Sequence, residues 1–461
     1  MSRRRRIASL SVATVTTAGL CVAIGVAAPV SAEPCTGAAA AAQPPAGTAA
    51  LPSPGAGGPP MGHRPAGAND NAPLPRLGKL TRSLLSALTP AQQIQQQAAV
   101  VPTPKPTATP APAATPAPAA APMPAPGTSL IGWVTGPESS NNTIAKYSIT
   151  GTDLGIMWDN GNAANHQVLM AFGDTYGYCS TPQKQWRYNV LMRSQDTSLT
   201  DSVAASSAPS WRPGLAKQII NSIDWAPVEK GIIPTAGISV GNNQYVNFMS
   251  IKNWDADGRW STNFSGVAVS PDNGEHWGVY PTSIRPAAPD STDRVAYTPG
   301  NENFQMGAFM KPGPGDGYLY SFGTPPGRGG SAYVARVQPA NVPDVTKYEY
   351  WNSDSNAWVP GNPGAATVVI PGPLGEMSAQ YNSYLKQYVA LYCNGLNDVV
   401  MRTAPAPQGP WGPEAMLVSH SEFPGGIYAP FLHPWSTGKV LYYNLSLWSD
   451  YNVMLMRTVL P

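Results

Sequence analysis

Gly151-Thr-Asp153-Leu-Gly-Ile-Met-Trp-Asp159-Asn-Gly161, followed by His166-Gln-Val-Leu-Met-Ala-Phe-Gly-Asp174-Thr-Tyr-Gly177, sets the architecture of the chain. Two apolar runs, Leu154 to Met157 and Val168 to Phe172, are bounded by Gly and Asn and read as strands joined by a polar turn. Asp153 opens the first strand and Asp174 closes the second. In an antiparallel pair those two positions share one edge. The two carboxylates are therefore expected to be neighbours at one rim of a sheet, which is the minimum equipment for acid–base work on a glycosidic bond. Asp159, in an Asp-Asn-Gly turn, reads as structural.

Outward from this pair, related strands recur. Five times a first strand is followed by a second and a third. The first strands are read at Leu154–Met157, Ala236–Val240, Met306–Met310, Met377–Tyr381 and Tyr428–His433. Three of the third strands end alike, as in Asn189-Val-Leu-Met-Arg193, Asp398-Val-Val-Met-Arg402 and Asn452-Val-Met-Leu-Met-Arg457. Five such units over residues 128–461 predict an all-β fold, a five-bladed β-propeller; a β-sandwich would leave the five-fold repeat unexplained. Arg193, Arg402 and Arg457 recur at equivalent positions and are expected to serve the repeat. Ser270-Pro-Asp272-Asn-Gly274-Glu-His-Trp277 resembles the Asp-box of sialidase-type propellers and reads as a structural turn. Thr403 to Trp411 occupies the matching place in the fourth unit. A helical turn is expected near Leu215–Asn221.

The rest of the chain is of a different composition. Arg3 to Arg6, an apolar run from Ile7 to Val30 and the small residues before Glu33 mark residues 1–32 as a secretory signal peptide. Residues 33–127 are dominated by Ala and Pro and are expected to form a disordered arm, with one helical leucine pattern at 77–89. Charged residues are only 12% of the chain and its formal net charge is +2, four of the positive charges lying in the signal. Nucleic acid is excluded as a partner on that ground. The chain is expected in the secreted fraction or the cell envelope, as a monomer. Beyond the signal three cysteines remain, Cys35, Cys179 and Cys393. Cys179 and Cys393 are either bridged or two separate buried thiols. No metal-ligand spacing is present, and the chemistry requires no cofactor, although a central channel has room for a structural ion.

The starting ends of the first strands share one face in a propeller. Asp153, Asp174 and Glu376 are the catalytic candidates there, with Glu376 as a third carboxylate and candidate proton donor. Glu302, Asn303, Gln305, Gln380 and Tyr428 are the candidate substrate-binding groups, since amides and hydroxyls match sugar hydroxyls and aromatic rings match sugar faces. Each Asp could instead bond nearby backbone at a strand end, Glu302 could merely line the rim, and His433 is expected as a hydrogen-bonded core histidine.

Thr152-Asp153-Leu-Gly with Trp158-Asp-Asn-Gly, Phe172-Gly-Asp174-Thr, Trp186-Arg-Tyr-Asn-Val-Leu, Ile233-Pro-Thr-Ala-Gly-Ile, Asn303-Phe-Gln-Met-Gly-Ala-Phe, Gly375-Glu376-Met-Ser-Ala-Gln-Tyr-Asn and Phe431-Leu-His-Pro-Trp435 together resemble an actinobacterial secreted family long catalogued as a domain of unknown function. Its members are now associated with endo-D-arabinanase activity. The resemblance spans residues 131–461. It implies a glycoside hydrolase that cuts α-linked D-arabinofuranose chains inside arabinogalactan and lipoarabinomannan of the mycobacterial type. The family pattern is similar at Asp153, Asp174 and Glu376. It leaves the stereochemical course open, because retaining and inverting enzymes differ in a carboxylate separation that sequence does not supply. The competing function is a carbohydrate-binding propeller of the cell envelope that uses the same face without turnover.

Overall fold

A computed structural model describes residues 126–180, 185–255 and 259–461. The expected signal peptide, all but the end of the Pro/Ala-rich arm, its leucine pattern and Cys35 lie outside the described residues. Within them the chain is nearly all β, in successive runs of antiparallel strands.

The first run is Leu154–Asp159, Val168–Phe172, Val190–Ser194 and Ala205–Ser207, paired in that order. Every residue of Val168–Phe172 and of Val190–Ser194 is buried. These strands are covered on both faces, which is why Val168–Phe172 and Val190–Met192 read as continuous apolar runs rather than alternating ones. The second run is Gly231–Val240, Asn243–Trp254 and Trp260–Ser270, extended by two short strands. The third is Met306–Met310, Leu319–Thr324 and Gly330–Val337, to which the hairpin of Glu349–Asn352 and Ala357–Pro360 adds. The fourth is Ile370–Asn382, Gln387–Asn394, Val399–Ala404 and Ala415–Val418, hydrogen-bonded to the third through Ala332 and Ile370. The last is Ile427–Leu432, Val440–Leu447 and Asn452–Val459. Gly127–Trp133, from the start of the described chain, pairs with Asn452–Val459 near its end and completes that sheet.

The opening strands of the runs touch one another. Leu154–Asp159 packs against Gly231–Val240 and Ile427–Leu432, Met306–Met310 against Gly231–Val240 and Ile370–Asn382, and Ile370–Asn382 against Ile427–Leu432. Apolar clusters fill the spaces between neighbouring sheets: Trp158, Leu169, Leu191 and Phe248 belong to one, and Leu391, Met401, Tyr443 and Met454 to another.

The Asp-box-like turn is structural, as its sequence implies. Ser270 Oγ donates to Asp272 Oδ1 at 2.8 Å and accepts from Gly274 N at 2.9 Å. Asp272 Oδ1 also accepts from His276 N, and the Trp277 indole donates to Gly274 O. Arg193 reaches this turn from the previous run, bonding Asn273 O and Glu275. Its role is therefore to tie adjacent sheets together.

Three expectations need correction. Leu215–Asn221 is not helical: Leu215–Ala216 is a short strand paired with Ser210–Arg212, and the described α-helix is Thr143–Tyr147. Cys179 is disulfide-bonded, but not to Cys393, which is a buried thiol 3.9 Å from Ile427 O. The opening strands of the second and fourth runs begin earlier than the apolar pattern suggests, at Gly231 and Ile370, because backbone pairing continues past residues whose side chains break the alternation.

Candidate active site

A cavity of about 590 Å³ lies where the opening strands begin. Its lining includes Asp153, Asp174 and Glu376, with Trp254, Trp260, Tyr428, Trp448 and Tyr451 as aromatic wall and Met249, Met306 and Phe431 as apolar fill. Carboxylates from the first and fourth runs, more than 200 positions apart in the chain, thus share one space.

The backbone at this end is irregular in a consistent way. The pairing register slips between Leu154 and Ile156, Pro234 and Ala236, Leu374 and Met377, and Tyr428 and Phe431. Each slip sits beside a residue of the cavity, as bulges that re-aim side chains do. Leu154 (φ 71°) and Ala429 (φ 55°) are held in the left-handed region, which costs roughly 1 kcal/mol or more for a residue with a Cβ. In the third run the pairing is regular, and Gly307 takes the corresponding strain (φ 152°). A Cβ there would lie 1.9 Å from Phe322 O.

Asp153 is half-buried at the slip. Its main-chain oxygen accepts from Gly155 N and Gly173 N, and its Oδ2 accepts from the Tyr428 phenol at 3.0 Å. Burial, together with the neighbouring Asp153 charge, pushes the Tyr428 phenol well above its ordinary range. The phenol therefore stays protonated and donates, which favours Asp153 as the charged acceptor. Gly173 packs directly on this carboxylate: a Cβ there would sit 2.5 Å from Asp153 Oδ1.

Asp174 is 4% exposed, the most enclosed of the three as a residue class, and its Oδ1 accepts from the Trp186 indole at 2.9 Å. Trp186 is itself buried and edge-on to Tyr188. The Tyr451 phenol is likewise pushed well above its ordinary range, by burial first and then by the charges of Asp153 and Asp174.

Glu376 is gripped by Arg328. Arg328 Nε donates to Glu376 Oε2 at 3.0 Å and Nη2 to Oε1 at 2.6 Å, a bidentate pair with side chains 16% and 11% exposed. The guanidinium is sandwiched, its carbon 5.1 Å from the ring centres of both Trp260 and Tyr428. Arg328 was not anticipated. Pro325-Pro-Gly-Arg-Gly-Gly330 reads as a turn-forming loop, and nothing local signals a partner 48 residues away. From Trp260 and Arg328 a wider depression of about 1020 Å³ continues along Asp255, Arg259 and the loop 326–330.

The expected binding residues divide. Tyr428 is in the cavity. Glu302 is not: its Oε2 accepts from the Tyr297 phenol and Gly300 N, so it shapes a turn. Asn303 also falls outside the cavity lining, and its main-chain oxygen packs on Gly323. Gln305 is fully buried and bonded to Thr262 Oγ1, Arg285 O and Asn301 O, with no group left for a ligand. Gln380 lies farther along its strand, donates to Ser436 O and lines a different cavity. The sequence placed Glu302, Asn303 and Gln305 at a strand start but did not show that the chain entering at Met306 first makes a 3-10 turn, Asn301–Phe304, which leaves Glu302 and Asn303 half-buried and Gln305 in the core. His433 is buried in the core as expected, with Nδ1 accepting from Trp435 N. Among the described residues no group of three or more His, Cys, Asp and Glu is arranged to hold a metal ion.

The fold and cavity define an all-β protein with carboxylates clustered in an aromatic-walled site. The chain belongs to the family described as Domain of unknown function (DUF4185), whose profile matches residues 138–457. It is similar to Notoamide biosynthesis cluster protein J' of Aspergillus versicolor, with 27% identity over 321 residues, 66% of this chain and 83% of the relative. Similar solved structures include the catalytic domain of the Coprinopsis cinerea GH62 alpha-L-arabinofuranosidase, at 11% identity and a TM-score of 0.39, covering 73% of this chain and 97% of that one. A GH43_1 enzyme from Xanthomonas citri matches at 12% identity and a TM-score of 0.38, covering 67% and 86%.

Proposed function

We propose that the protein is a secreted glycoside hydrolase that cleaves internal α-D-arabinofuranosyl linkages of cell-envelope arabinan. The observation that carries this reading is the meeting of Asp153, Asp174 and Glu376 in one cavity walled by Trp254, Trp260, Tyr428, Trp448 and Tyr451. Hydrolysis of a glycoside needs one carboxyl group to protonate the departing oxygen and a second, ionised one on the other side of the bond. Asp174, deeply enclosed and next to indole and phenol rings, is assigned the proton donor. Asp153, held by a phenol that donates to it, is the ionised partner. Glu376 is reassigned from candidate donor to a group fixed on Arg328, because both of its oxygens already accept from that guanidinium. The depression continuing past Trp260 and Arg328 gives a chain room to run beyond the cleaved bond, which suits internal cleavage. The arabinan preference is supported by the motif resemblance, and secretion by the signal-like residues 1–32.

The fold is read as a five-bladed β-propeller. Its support is that the opening strand of each run neighbours two others, in an order that returns to Leu154–Asp159, and that the N-terminal strand Gly127–Trp133 completes the last sheet. A monomer without a cofactor satisfies this chemistry.

The test is to incubate the purified protein with D-arabinan, L-arabinan and galactan and to analyse the released oligosaccharides. Short oligomers from D-arabinan alone are expected. Asp153→Asn and Asp174→Asn each lower release at least about 1000-fold, as loss of an acid–base group typically does, with little change in thermal unfolding. Binding of D-arabinan with no new reducing ends would replace hydrolysis by a carrier role.

A further inference from the structure

The opening strands enclose a second cavity at their far ends. Each strand gives earlier residues to the first cavity and later ones to the second. Leu154 precedes Ile156 to Asp159, Ile233 precedes Ala236 to Ile238, Met306 precedes Ala308 to Lys311, and Glu376 precedes Met377 to Tyr381. The two spaces meet only where Thr235 and Phe431 line both. The second cavity, about 1080 Å³, is the larger.

Its chemistry differs from the first. The walls are apolar and aromatic, from Trp158, Ile238, Phe309 and Tyr381 among others. Two opposite charges face in. Lys311 Nζ lies 3.1 Å from Ser239 Oγ, and it is attracted to Asp159. Asp159 is fixed by the Trp435 indole, His166 and Gly161 N. The His166 and Trp435 rings stack at 4.2 Å and hold that corner rigid. Asp159 is the single carboxylate in the lining of this cavity, against three in the first, so this is not a repeat of the acid–base site. An ionic ligand of either sign would meet a like charge here, whereas a neutral molecule bearing hydroxyls can accept from the ammonium and donate to the carboxylate at once. A ring with an apolar face would fill the remaining wall.

We infer that the far end of the opening strands is a second, non-hydrolytic binding site for a neutral saccharide, anchored by Lys311 and Asp159. The site stands whether or not the first cavity turns substrate over.

The experiment is isothermal titration calorimetry with a neutral D-arabinofuranosyl tetrasaccharide, on the full chain carrying Asp153→Asn and Asp174→Asn so that nothing is consumed. Two sites per chain are expected. Adding Lys311→Met removes one, and adding Trp260→Ala removes the other. Phe309→Leu, which keeps apolar bulk but removes the ring, weakens the Lys311-dependent site at least tenfold and serves if Lys311→Met fails to fold by near-ultraviolet dichroism. A single site lost with Lys311→Met supports the inference and counts against a saccharide in the first cavity. A single site lost with Trp260→Ala and indifferent to Lys311→Met and Phe309→Leu overturns the inference and leaves the hydrolase reading intact. No binding overturns both.

Discussion

Replacing Arg328 by Met removes both hydrogen bonds to Glu376 and the charge sandwiched between Trp260 and Tyr428, and strands Glu376 where only 11% of its side chain is exposed. Breaking a buried ion pair from one side costs about 3–5 kcal/mol, because the remaining charge keeps its desolvation cost and loses its attraction. The Met side chain recovers some of the apolar contact with the two rings, so the lower end is expected. With an unfolding entropy of roughly 2.1 cal/mol/K per residue over the ~330 residues of the domain, that is a fall in Tm of about 4–5 °C. Replacing both partners, as Arg328→Met with Glu376→Leu, removes the stranded charge and is expected within about 1–2 kcal/mol of the parent. Glu376→Leu alone strands Arg328 and is expected to cost a similar ~3 kcal/mol, so the coupling between the two sites is about 4–5 kcal/mol, read from urea midpoints of the four proteins at constant m. Both double and single variants lose hydrolysis, so stability and activity separate in the double variant. A loss below about 1 kcal/mol for Arg328→Met, or additive losses in the double variant, would refute the reasoning that this pair is buried and mutually dependent.

Three further outcomes follow from the same geometry. Gly173→Ala forces its Cβ to within 2.5 Å of Asp153 Oδ1; the carboxylate must turn away from Tyr428, and kcat should fall at least about tenfold while Gly173→Ala protein keeps its far-ultraviolet dichroism. Trp186→Phe deletes the donor to Asp174 and should shift the basic limb of the pH–rate profile, with a loss of about 1–3 kcal/mol in stability from the unsatisfied buried oxygen; an unchanged profile would remove Asp174 from the proton-donor role. Burial depresses the His433 imidazole from 6.5 to about 4, the charge of Asp196 opposing it to a lesser extent. The unfolded chain therefore binds a proton that the folded one refuses between those values, so stability is fully present above about pH 6.5 and falls by roughly 3 kcal/mol as the pH drops to about 4. His433→Gln should flatten that slope in urea titrations run at several pH values.

What could be read from residues alone was local and periodic. Val168–Phe172 and Val190–Met192 are apolar throughout because sheets cover them on both sides, and that pattern announces itself without coordinates. The Ser270-to-Trp277 turn is likewise closed by its own residues, so it could be recognised in isolation. Asp153 and Asp174 were legible because they bracket one hairpin, and Glu376 because a carboxyl group before an apolar strand has no turn to make. Gln305 and Glu302 misled, since amide and carboxyl groups look the same whether they face a cavity or a buried turn. Arg328 was invisible: a single arginine among glycines and prolines acquires meaning only from a glutamate 48 residues on and two rings from other sheets. Strand identity depends on near neighbours in the chain, and so it is written in the order of residues. The chemistry of the cavity depends on charges, donors and ring faces from distant strands brought within a few ångströms, and only the packed tertiary structure fixes those distances.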